Sequence, residues 1–205
     1  MYPISKAEPV EKNHTFFFLG NHLALDFLNT RPKLDGNFVE LLPDCSALLR
    51  WFQTANLIDS YSAAQLSNHA AAHKAHHTLL AFRESLRHAV ELWEQGRPIP
   101  RDFTAQLNHL MSHHPIKFRL NKTGHTELWF PTDLPTDLFA PLAYSGAKLF
   151  SDEDPTRVRQ CDACVLHFLD TSKKGTRRWC SMQLCGNRLK VAAYARRQRL
   201  NGHRR

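Results

Sequence analysis

Four cysteines near the carboxyl end of the chain have the spacing of a metal site. They form a C-x2-C pair, a gap of fifteen residues and a C-x4-C pair: Cys161, Cys164, Cys180 and Cys185. Two thiol pairs separated by a hairpin-sized gap provide the four sulfur ligands that a tetrahedral Zn²⁺ ion takes in structural sites. Buried free thiols and a redox pair are the alternatives. The spacing favours one structural zinc ion over both.

The net charge of the chain lies in the same region. The formal net charge is +8, with 14 basic and 14 acidic residues in 1–150 and 13 basic and 5 acidic residues in 151–205. Four thiolates around one Zn²⁺ would lower this charge by two, so the carboxyl-terminal part remains basic. This asymmetry favours a polyanionic partner for the carboxyl-terminal part only. DNA is the favoured polyanion.

Nine basic residues near the cysteines are the candidate nucleic-acid contacts. They lie around a predicted turn and along a predicted helix: Lys173, Lys174, Arg177, Arg178, Arg188, Lys190, Arg196, Arg197 and Arg199. At about 100° per residue, those on the helix form two ridges on nearly opposite sides. The two ridges could contact both phosphate walls of a groove, or one of them could be a solvated surface. Trp179 is expected to pack beside the metal.

The beginning of the sequence lacks the pattern of an export signal. No basic segment precedes a long apolar run, and the longest early apolar stretch, residues 16–19, is too short to span a membrane. We therefore expect a cytoplasmic protein without a membrane segment. In a reducing compartment, C-x2-C pairs are more often metal ligands than disulfides. Cys45, outside the two pairs, is expected to be a small buried apolar residue.

Helical periodicity dominates the first three quarters of the chain. Apolar residues three or four positions apart predict helices over about 21–31, 44–52, 62–72, 75–95, 100–111 and 135–149. Alternation of apolar and polar residues predicts two strands, 116–120 and 126–130, joined by a short turn. Residues 15–19 are expected to form a further strand. The sequence thus predicts a mainly α-helical domain with a small β-hairpin.

A second, smaller domain is expected to follow. Residues 1–13 are interpreted as a flexible arm, 14–150 as the helical domain and 156–205 as the zinc finger, with the boundary in the acidic stretch 151–155. The finger is predicted to contain strand-like runs at 165–169 and 177–179 and a helix over 187–200. This order is typical of a treble-clef-like α+β finger. So small a unit buries little core, so the metal would supply much of its folding free energy.

Three polar residues in the predicted helical domain form a second candidate site. Asp26 and Asn29 lie near one stripe of an otherwise apolar helix, and a buried carboxyl group needs a partner. Arg83 or Arg31 could be that partner, and this structural role is the favoured interpretation. Alternatively, Asp26, Asn29 and Arg83 line a pocket for a small-molecule effector.

Histidines recur at helical spacing, but they are interpreted as solvated faces. His69, His73, His76 and His77 fall near one side of a helix, and His109 and His113 are four apart. Two histidines at i and i+4 can bind a metal. No acidic residue lies close enough in sequence to complete such a site, so a second metal is not favoured.

The cysteine region closely resembles the CGNR zinc finger. The resemblance rests on Cys-Asp-Ala-Cys at 161–164, Phe-Leu-Asp at 168–170, Arg-Arg-Trp-Cys-Ser-Met at 177–182 and Cys-Gly-Asn-Arg at 185–188. Residues 18–30, Phe-Leu-Gly-Asn-His-Leu-Ala-Leu-Asp-Phe-Leu-Asn-Thr, resemble the opening of the ABATE domain, which usually precedes this finger. The resemblance implies a mainly α-helical amino-terminal domain, a DNA-binding finger and a role as a stress-induced transcription regulator.

Several functions are compatible with these features. A DNA-binding regulator is favoured, with a helical domain that senses a signal or mediates association. The alternative is a zinc-dependent protein-interaction module that never contacts DNA directly. An RNA-binding function ranks third, because few aromatic residues in the finger could stack on bases. The sequence contains neither a glycine-rich phosphate loop nor a G-x-S-x-G motif, so an enzyme is not expected.

Overall fold

Six α-helices carry most of the regular structure. The structure is a computed structural model and describes residues 16–34, 37–114, 116–121, 123–187 and 191. Within these ranges the helices are α1 (Leu23–Leu28), α2 (Cys45–Thr54), α3 (Ser60–Ser67), α4 (Ala72–Glu94), α5 (Arg101–His113) and α6 (Phe139–Asp152). Shorter helical turns are Pro135–Leu138 and Pro155–Arg157, both 3₁₀, and Met182–Gly186, a π-helical turn.

Six short strands of the described chain form three antiparallel hairpins. They are β1 (Lys33–Leu34), β2 (Asn37–Phe38), β3 (Lys117–Leu120), β4 (Thr126–Trp129), β5 (Val158–Gln160) and β6 (His167–Leu169). Each strand pairs with its neighbour in sequence. In the last hairpin Val158 lies opposite Leu169, and Gln160 lies opposite His167. The connection between β5 and β6 therefore contains the C-x2-C pair.

Helix α1 lies in the main core and is buried along its whole length. It packs against α4, α6 and β6. The ring of the fully buried Trp51 lies 5.2 to 5.8 Å from the rings of Phe18, Phe27 and Phe52. Aromatic pairs at this separation stabilise a core beyond the burial of their apolar surface. This surrounding core explains how a helix of six residues is maintained.

Aspartates define the first turns of two core helices. Asp44 accepts a hydrogen bond from the Ala47 N–H group at 2.7 Å, and Asp59 accepts one from the Ser62 N–H group at 2.8 Å. These side chains satisfy N–H groups that a helix leaves without a partner in its first turn. The sequence thereby determines where α2 and α3 begin.

The strands of the last hairpin contribute to two apolar clusters. Val158 and Leu169 belong to the main core with the helices, whereas Phe168 belongs to a small cluster with the cysteines. Neighbouring side chains of a strand point to opposite faces, so β6 lies between the two clusters. The cysteine region is therefore packed directly against the helices.

The predicted fold class is confirmed. Helices dominate, hairpins are small, and the carboxyl-terminal part contains the cysteine cluster. The predicted hairpin appears as β3 and β4, and each helix predicted between residues 21 and 149 has a counterpart with shifted ends; α3, for example, ends at Ser67. In the part of the chain that the structure describes, no helix is both long enough and apolar enough to cross a membrane.

Two strand predictions are wrong. Residues 16–19 of the predicted first strand have no regular structure. Residues 167–169 do form a strand, but it pairs with β5 and not with 177–179, which contains no strand. Strands β5 and β6 are separated by only six residues, so their pairing is local. Their backbone hydrogen bonds close the connection that contains Cys161 and Cys164. The small hairpin β1–β2 was not predicted.

Some predictions fall on residues outside the described ranges. The arm at 1–13 is among them, and so is most of the helix predicted over 187–200, of which only Asn187 and Val191 are described, both as helical. The domain limits and the treble-clef-like layout stay predictions.

The interpretation of the histidine-rich face as solvated is wrong for one residue. His69, His73 and His77 are exposed, but His76 is only 3% exposed. The Nε2 atom of His76 lies 2.9 Å from the carbonyl oxygen of Leu42. This side of α4 packs on the core, and a backbone carbonyl takes the place of solvent as the partner of the ring.

Candidate metal centre and basic loop

Short elements of the finger position the cysteines. Cys161 directly follows β5, and Cys164 lies in the same connection before β6. The Cys161 N–H group donates to the carbonyl oxygen of Leu166 at 2.9 Å, which closes this knuckle. Cys185 lies in the π-helical turn, where its N–H group donates to the carbonyl oxygen of Ser181 at 3.0 Å. Both cysteine pairs are thus held by local backbone bonds.

The four sulfur atoms are arranged for one tetrahedral ion. All lie within 4.8 Å of one another, and the Sγ–Sγ distances among Cys164, Cys180 and Cys185 are 3.7 Å. Four Zn–S bonds of about 2.3 Å would place tetrahedral sulfurs about 3.8 Å apart. A disulfide would bring two of them to about 2.05 Å. The four cysteines therefore bind one structural zinc ion.

The crowding of the thiols shifts their pKa values in opposite directions. Hydrogen bonds from the Cys164 and Cys180 side chains lower the pKa of Cys161. The neighbouring Cys161 raises the pKa of Cys164 to about 12 and also raises the pKa of Cys180. Four thiolates this close would repel one another. A Zn²⁺ ion among them offsets this repulsion and favours the deprotonated form of every ligand.

The shell around the sulfurs is mostly apolar. Leu166 and Phe168 are buried against the cysteines, and the partly buried Trp179 and Phe17 pack on the same cluster. Trp179 thus packs beside the metal, as predicted. With four protein ligands, a tetrahedral zinc ion has no position left for water or substrate. In the part of the chain described, the cysteines are also the only group of three or more potential metal ligands.

Arg177 stabilises the metal centre through hydrogen bonds to the backbone next to Cys180. Its guanidinium donates to the carbonyl oxygens of Trp179, at 2.9 Å, and of Cys180. It also lies over the ring of Phe168, 4.3 Å from the ring centroid. A guanidinium with five donors can bridge several carbonyl groups at once. Arg177, a candidate nucleic-acid contact from the sequence, therefore orders the chain that leads into Cys180.

A loop between β6 and Arg177, residues 171–175, forms an ordered projection that we call the basic loop. Asp170 accepts hydrogen bonds from the Ser172 N–H group at 2.9 Å and from the Arg177 N–H group at 2.8 Å. These two bonds fix both ends of the loop. Gly175 has φ +60°, in the left-handed region that glycine adopts readily. The exposed Lys173 and Lys174 are at its tip.

Two arginines, one directly before β5 and one within it, donate hydrogen bonds to backbone carbonyl oxygens of the basic loop and of Asp170 next to it. Arg157 donates to the carbonyl oxygens of Asp170 at 2.9 Å and of Ser172 at 3.0 Å. Arg159 donates to the carbonyl oxygen of Gly175 at 2.9 Å. Sequence reasoning missed Arg157, Arg159 and Asp170. The Phe-Leu-Asp motif was the one available indication of a role for Asp170.

The other candidate nucleic-acid contacts divide into two groups. Arg178 is exposed and forms an ion pair with Asp162, with 2.7 Å between Nε and Oδ2. An exposed ion pair contributes little to stability, so Arg178 can exchange partners readily. The remaining candidates lie outside the described residues: Arg188, Lys190, Arg196, Arg197 and Arg199.

The three candidates for a ligand pocket have partners within the protein. Asp26 accepts a hydrogen bond from the Gly20 N–H group at 2.7 Å, and Asn29 bonds to the backbone of His167. Arg83 is 2% exposed and forms a salt bridge with Glu40. The proposed pairing of Asp26 with an arginine is thus replaced by a backbone contact. These contacts give all three side chains a structural role, and a ligand pocket at these residues stays a prediction.

Burial shifts the pKa of the Asp26 carboxyl group. It raises the pKa of this carboxyl group to about 7, against the opposing effect of hydrogen bonds from the backbone of Gly20 and Leu19. From about pH 4 to pH 7 the native protein keeps a proton that the unfolded chain releases, so stability falls as pH rises through this window.

Asp26→Asn should remove this pH dependence. Between about pH 5.5 and 7, wild-type protein is expected to lose stability relative to the variant by up to roughly 1.4 kcal/mol per pH unit. Urea unfolding of both proteins, with zinc bound, measures the difference at each pH. Titration of all other groups cancels in this difference, and a constant difference would contradict the assignment.

The fold and the metal centre define a zinc-finger protein with a helical amino-terminal domain. The family model described as "Putative stress-induced transcription regulator", ABATE, matches residues 21–153, and the model described as "CGNR zinc finger" matches residues 157–198. The chain belongs to the ABATE family and carries a CGNR zinc finger. No curated protein matches it significantly.

Proposed function

We propose that this protein is a transcription regulator that contacts DNA through its zinc finger. The observation that carries the proposal is the charge asymmetry, because the 13 basic and 5 acidic residues of 151–205 account for the whole net charge. Lysine and arginine contacts to phosphates supply most of the sequence-independent affinity for DNA. The description of the ABATE family as a transcription regulator supports the same function.

In this proposal the metal orders a surface and takes no part in chemistry. Zinc fixes the knuckle, and Asp170 and the arginines around it hold the basic loop in one shape. Lys173 and Lys174 then contact phosphates, together with the basic residues of 188–199. Arg177 positions the chain, while Arg178 exchanges Asp162 for a phosphate oxygen. Because the backbone of the basic loop is already held, placing its lysines on DNA costs little backbone conformational entropy, which favours binding.

The helical domain is assigned the regulatory part. We infer that it senses a stress-related signal or mediates association, and that the finger converts this state into DNA binding. Four thiolate ligands favour a reducing compartment, so the proposed place of action is the cytoplasm.

A second candidate function is a zinc-dependent protein-interaction module. It is favoured by exposed apolar side chains on the finger, Met182 at 45%, Leu184 at 38% and Val191 at 68% exposed. Methionine is enriched in protein–protein interfaces relative to the rest of the surface. Capture of a transcription-machinery protein that survives nuclease treatment would favour this function, whereas capture that nuclease abolishes would favour DNA.

The exposed lysines of the basic loop provide a direct test of DNA contact. Lys173→Ala with Lys174→Ala should weaken binding to duplex DNA and reduce the slope of log K against log salt by about one to two, because each lost phosphate contact removes about 0.9. Fluorescence anisotropy with a labelled duplex measures both quantities.

A matched control lies in the helical domain. Lys74 and Arg101 are also exposed, and replacing both with alanine removes the same charge. This control should leave the slope unchanged. Equal slopes for the wild type and the Lys173/Lys174 variant would show that the basic loop does not contact DNA.

A further inference from the structure

The edge of β6 that does not pair with β5 is covered by Gly20 and Asn21, in the segment that leads into α1. Strand β6 pairs with β5 on one edge. On the other edge the Leu169 N–H group donates to the carbonyl oxygen of Gly20 at 2.8 Å, and Nδ2 of Asn21 donates to the carbonyl oxygen of Leu169 at 2.9 Å. Backbone groups of a covered edge need partners. The segment before α1 supplies them in place of a third strand.

Asn29, at the carboxyl end of α1, continues this edge. Its Nδ2 donates to the carbonyl oxygen of His167 at 2.9 Å, and the His167 N–H group donates to its Oδ1 at 2.9 Å. Asn29 is 1% exposed and His167 is 0% exposed. A single side chain therefore satisfies both backbone groups of a buried residue, as a neighbouring strand would.

Asp26 and Gly20 determine the shape of the covering segment. Asp26 holds the Gly20 N–H group, and a Cβ atom added at Gly20 would lie 2.8 Å from Cβ of Leu25 and 3.0 Å from Oδ1 of Asp26. Only glycine fits at this approach. Asn21 has φ 56°, a left-handed conformation that asparagine tolerates better than most residues. We call Gly20, Asn21, Asp26 and Asn29 the docking seat.

The opposite side of β6 is held by α4 and the main core. The enclosed side chain of His167 reaches the end of α4, where its Nε2 atom lies 3.6 Å from Oε2 of Glu94. The Leu169 side chain is buried in the main core. Strand β6 begins three residues after the zinc ligand Cys164. This one short strand therefore connects the zinc ligands to the core helices α1 and α4.

We propose that the docking seat couples zinc binding in the finger to the stability of the helical domain. Zinc orders the knuckle and with it β6. An ordered β6 in turn supplies partners for Asn29 and Gly20 and so stabilises α1 in the main core. Linkage is reciprocal, so an intact seat strengthens zinc binding by the same factor. If the proposed regulatory function holds, the seat is the route by which a change in the helical domain reaches the finger.

Asn29→Ala in the full-length protein tests the coupling. It removes both bonds to His167, and the zinc affinity, measured by competition with a chromophoric chelator, should fall roughly 5- to 150-fold. The rise in melting temperature that zinc gives the helical domain, followed by far-UV circular dichroism, should shrink in parallel. A merely local packing defect would lower the melting temperature equally with and without zinc and leave the affinity unchanged.

A second variant keeps the test decisive if Asn29→Ala fails to fold. Asn21→Gly retains the left-handed backbone and removes the side-chain bond to the carbonyl oxygen of Leu169, together with a longer contact of 3.5 Å to Oγ1 of Thr171, so a several-fold loss of zinc affinity is expected. Asn108→Ala, at an exposed position of α5, is the matched control and should bind zinc like the wild type. Wild-type zinc affinity in the folded seat variants would overturn the coupling. No measurement here uses DNA, so its outcome is independent of the proposed function.

Discussion

Cys185→Ser is expected to abolish stoichiometric zinc binding. The sulfur of Cys185 lies 3.7 Å from those of Cys164 and Cys180, and a serine hydroxyl does not ionise to replace a thiolate at neutral pH. Zinc binding to finger peptides is worth about 10–16 kcal/mol and is largely folding free energy. Residues 158–187 should therefore become protease-sensitive. Metal analysis of the purified protein should change from one zinc per chain to essentially none.

Cys45→Ser is the matched control for this prediction. Cys45 is the one cysteine outside the cluster and is half-buried at the first position of α2. Its replacement should leave the zinc content at one per chain. The helical domain should stay folded in the Cys185 variant, with a lower melting temperature because β6 no longer supports α1. Full zinc occupancy in Cys185→Ser would refute the four-cysteine centre.

Arg83→Ala is expected to lower the free energy of unfolding by about 2–4 kcal/mol, because it empties the space of a buried side chain and leaves the partly exposed Glu40 without its partner. Arg83 is 2% exposed, and its two terminal nitrogens lie 2.8 and 2.5 Å from the carboxylate oxygens of Glu40. It also donates to Oγ1 of Thr30 at 2.9 Å and to Glu84 at 3.1 Å. Alanine would remove all four bonds and leave a cavity in the core.

The positive charge of Arg83 also affects the pKa of its partner Glu40. Partial burial alone would raise the pKa of Glu40, but hydrogen bonding and the positive charge of Arg83 outweigh it and hold this pKa below its usual range. Arg31→Ala provides the control, because Arg31 and Glu84 are 44% and 39% exposed and their contact is 3.3 Å long. Chemical denaturation should show a change within about 1 kcal/mol for Arg31→Ala. Equal effects of the two variants would contradict the structural role of Arg83.

Much of the metal centre could be predicted because its information is local. The ligand spacing of a zinc knuckle is a property of a few consecutive residues, and all four cysteines meet as predicted. The same holds for the helices, whose periodicity and aspartate caps lie within one segment. Asp44 and Asp59 each bond three residues ahead, within reach of sequence reasoning.

The pairing of distant segments could not be predicted in the same way. Asn29 and His167 are 138 positions apart, and no spacing rule relates them. Asp26 and Asn29 were recognised as polar residues in an apolar helix, but whether they bind a ligand or a strand depends on what lies opposite. Strand β6 was misassigned to a partner at 177–179 for a related reason. Three-residue strands carry too little alternation to select between neighbours.

If zinc in the finger enables DNA binding, the zinc-loaded wild type and a variant that cannot hold zinc should differ in their affinity for DNA. Zinc-loaded wild-type protein and Cys185→Ser are titrated against a random-sequence duplex over a salt series, and the bound sequences are selected and read. We expect that log affinity of the wild type falls steeply and linearly with log salt, that a motif is enriched, and that the variant loses this binding. Absent or salt-independent binding by the wild type, or equal binding by both proteins, would contradict this expectation.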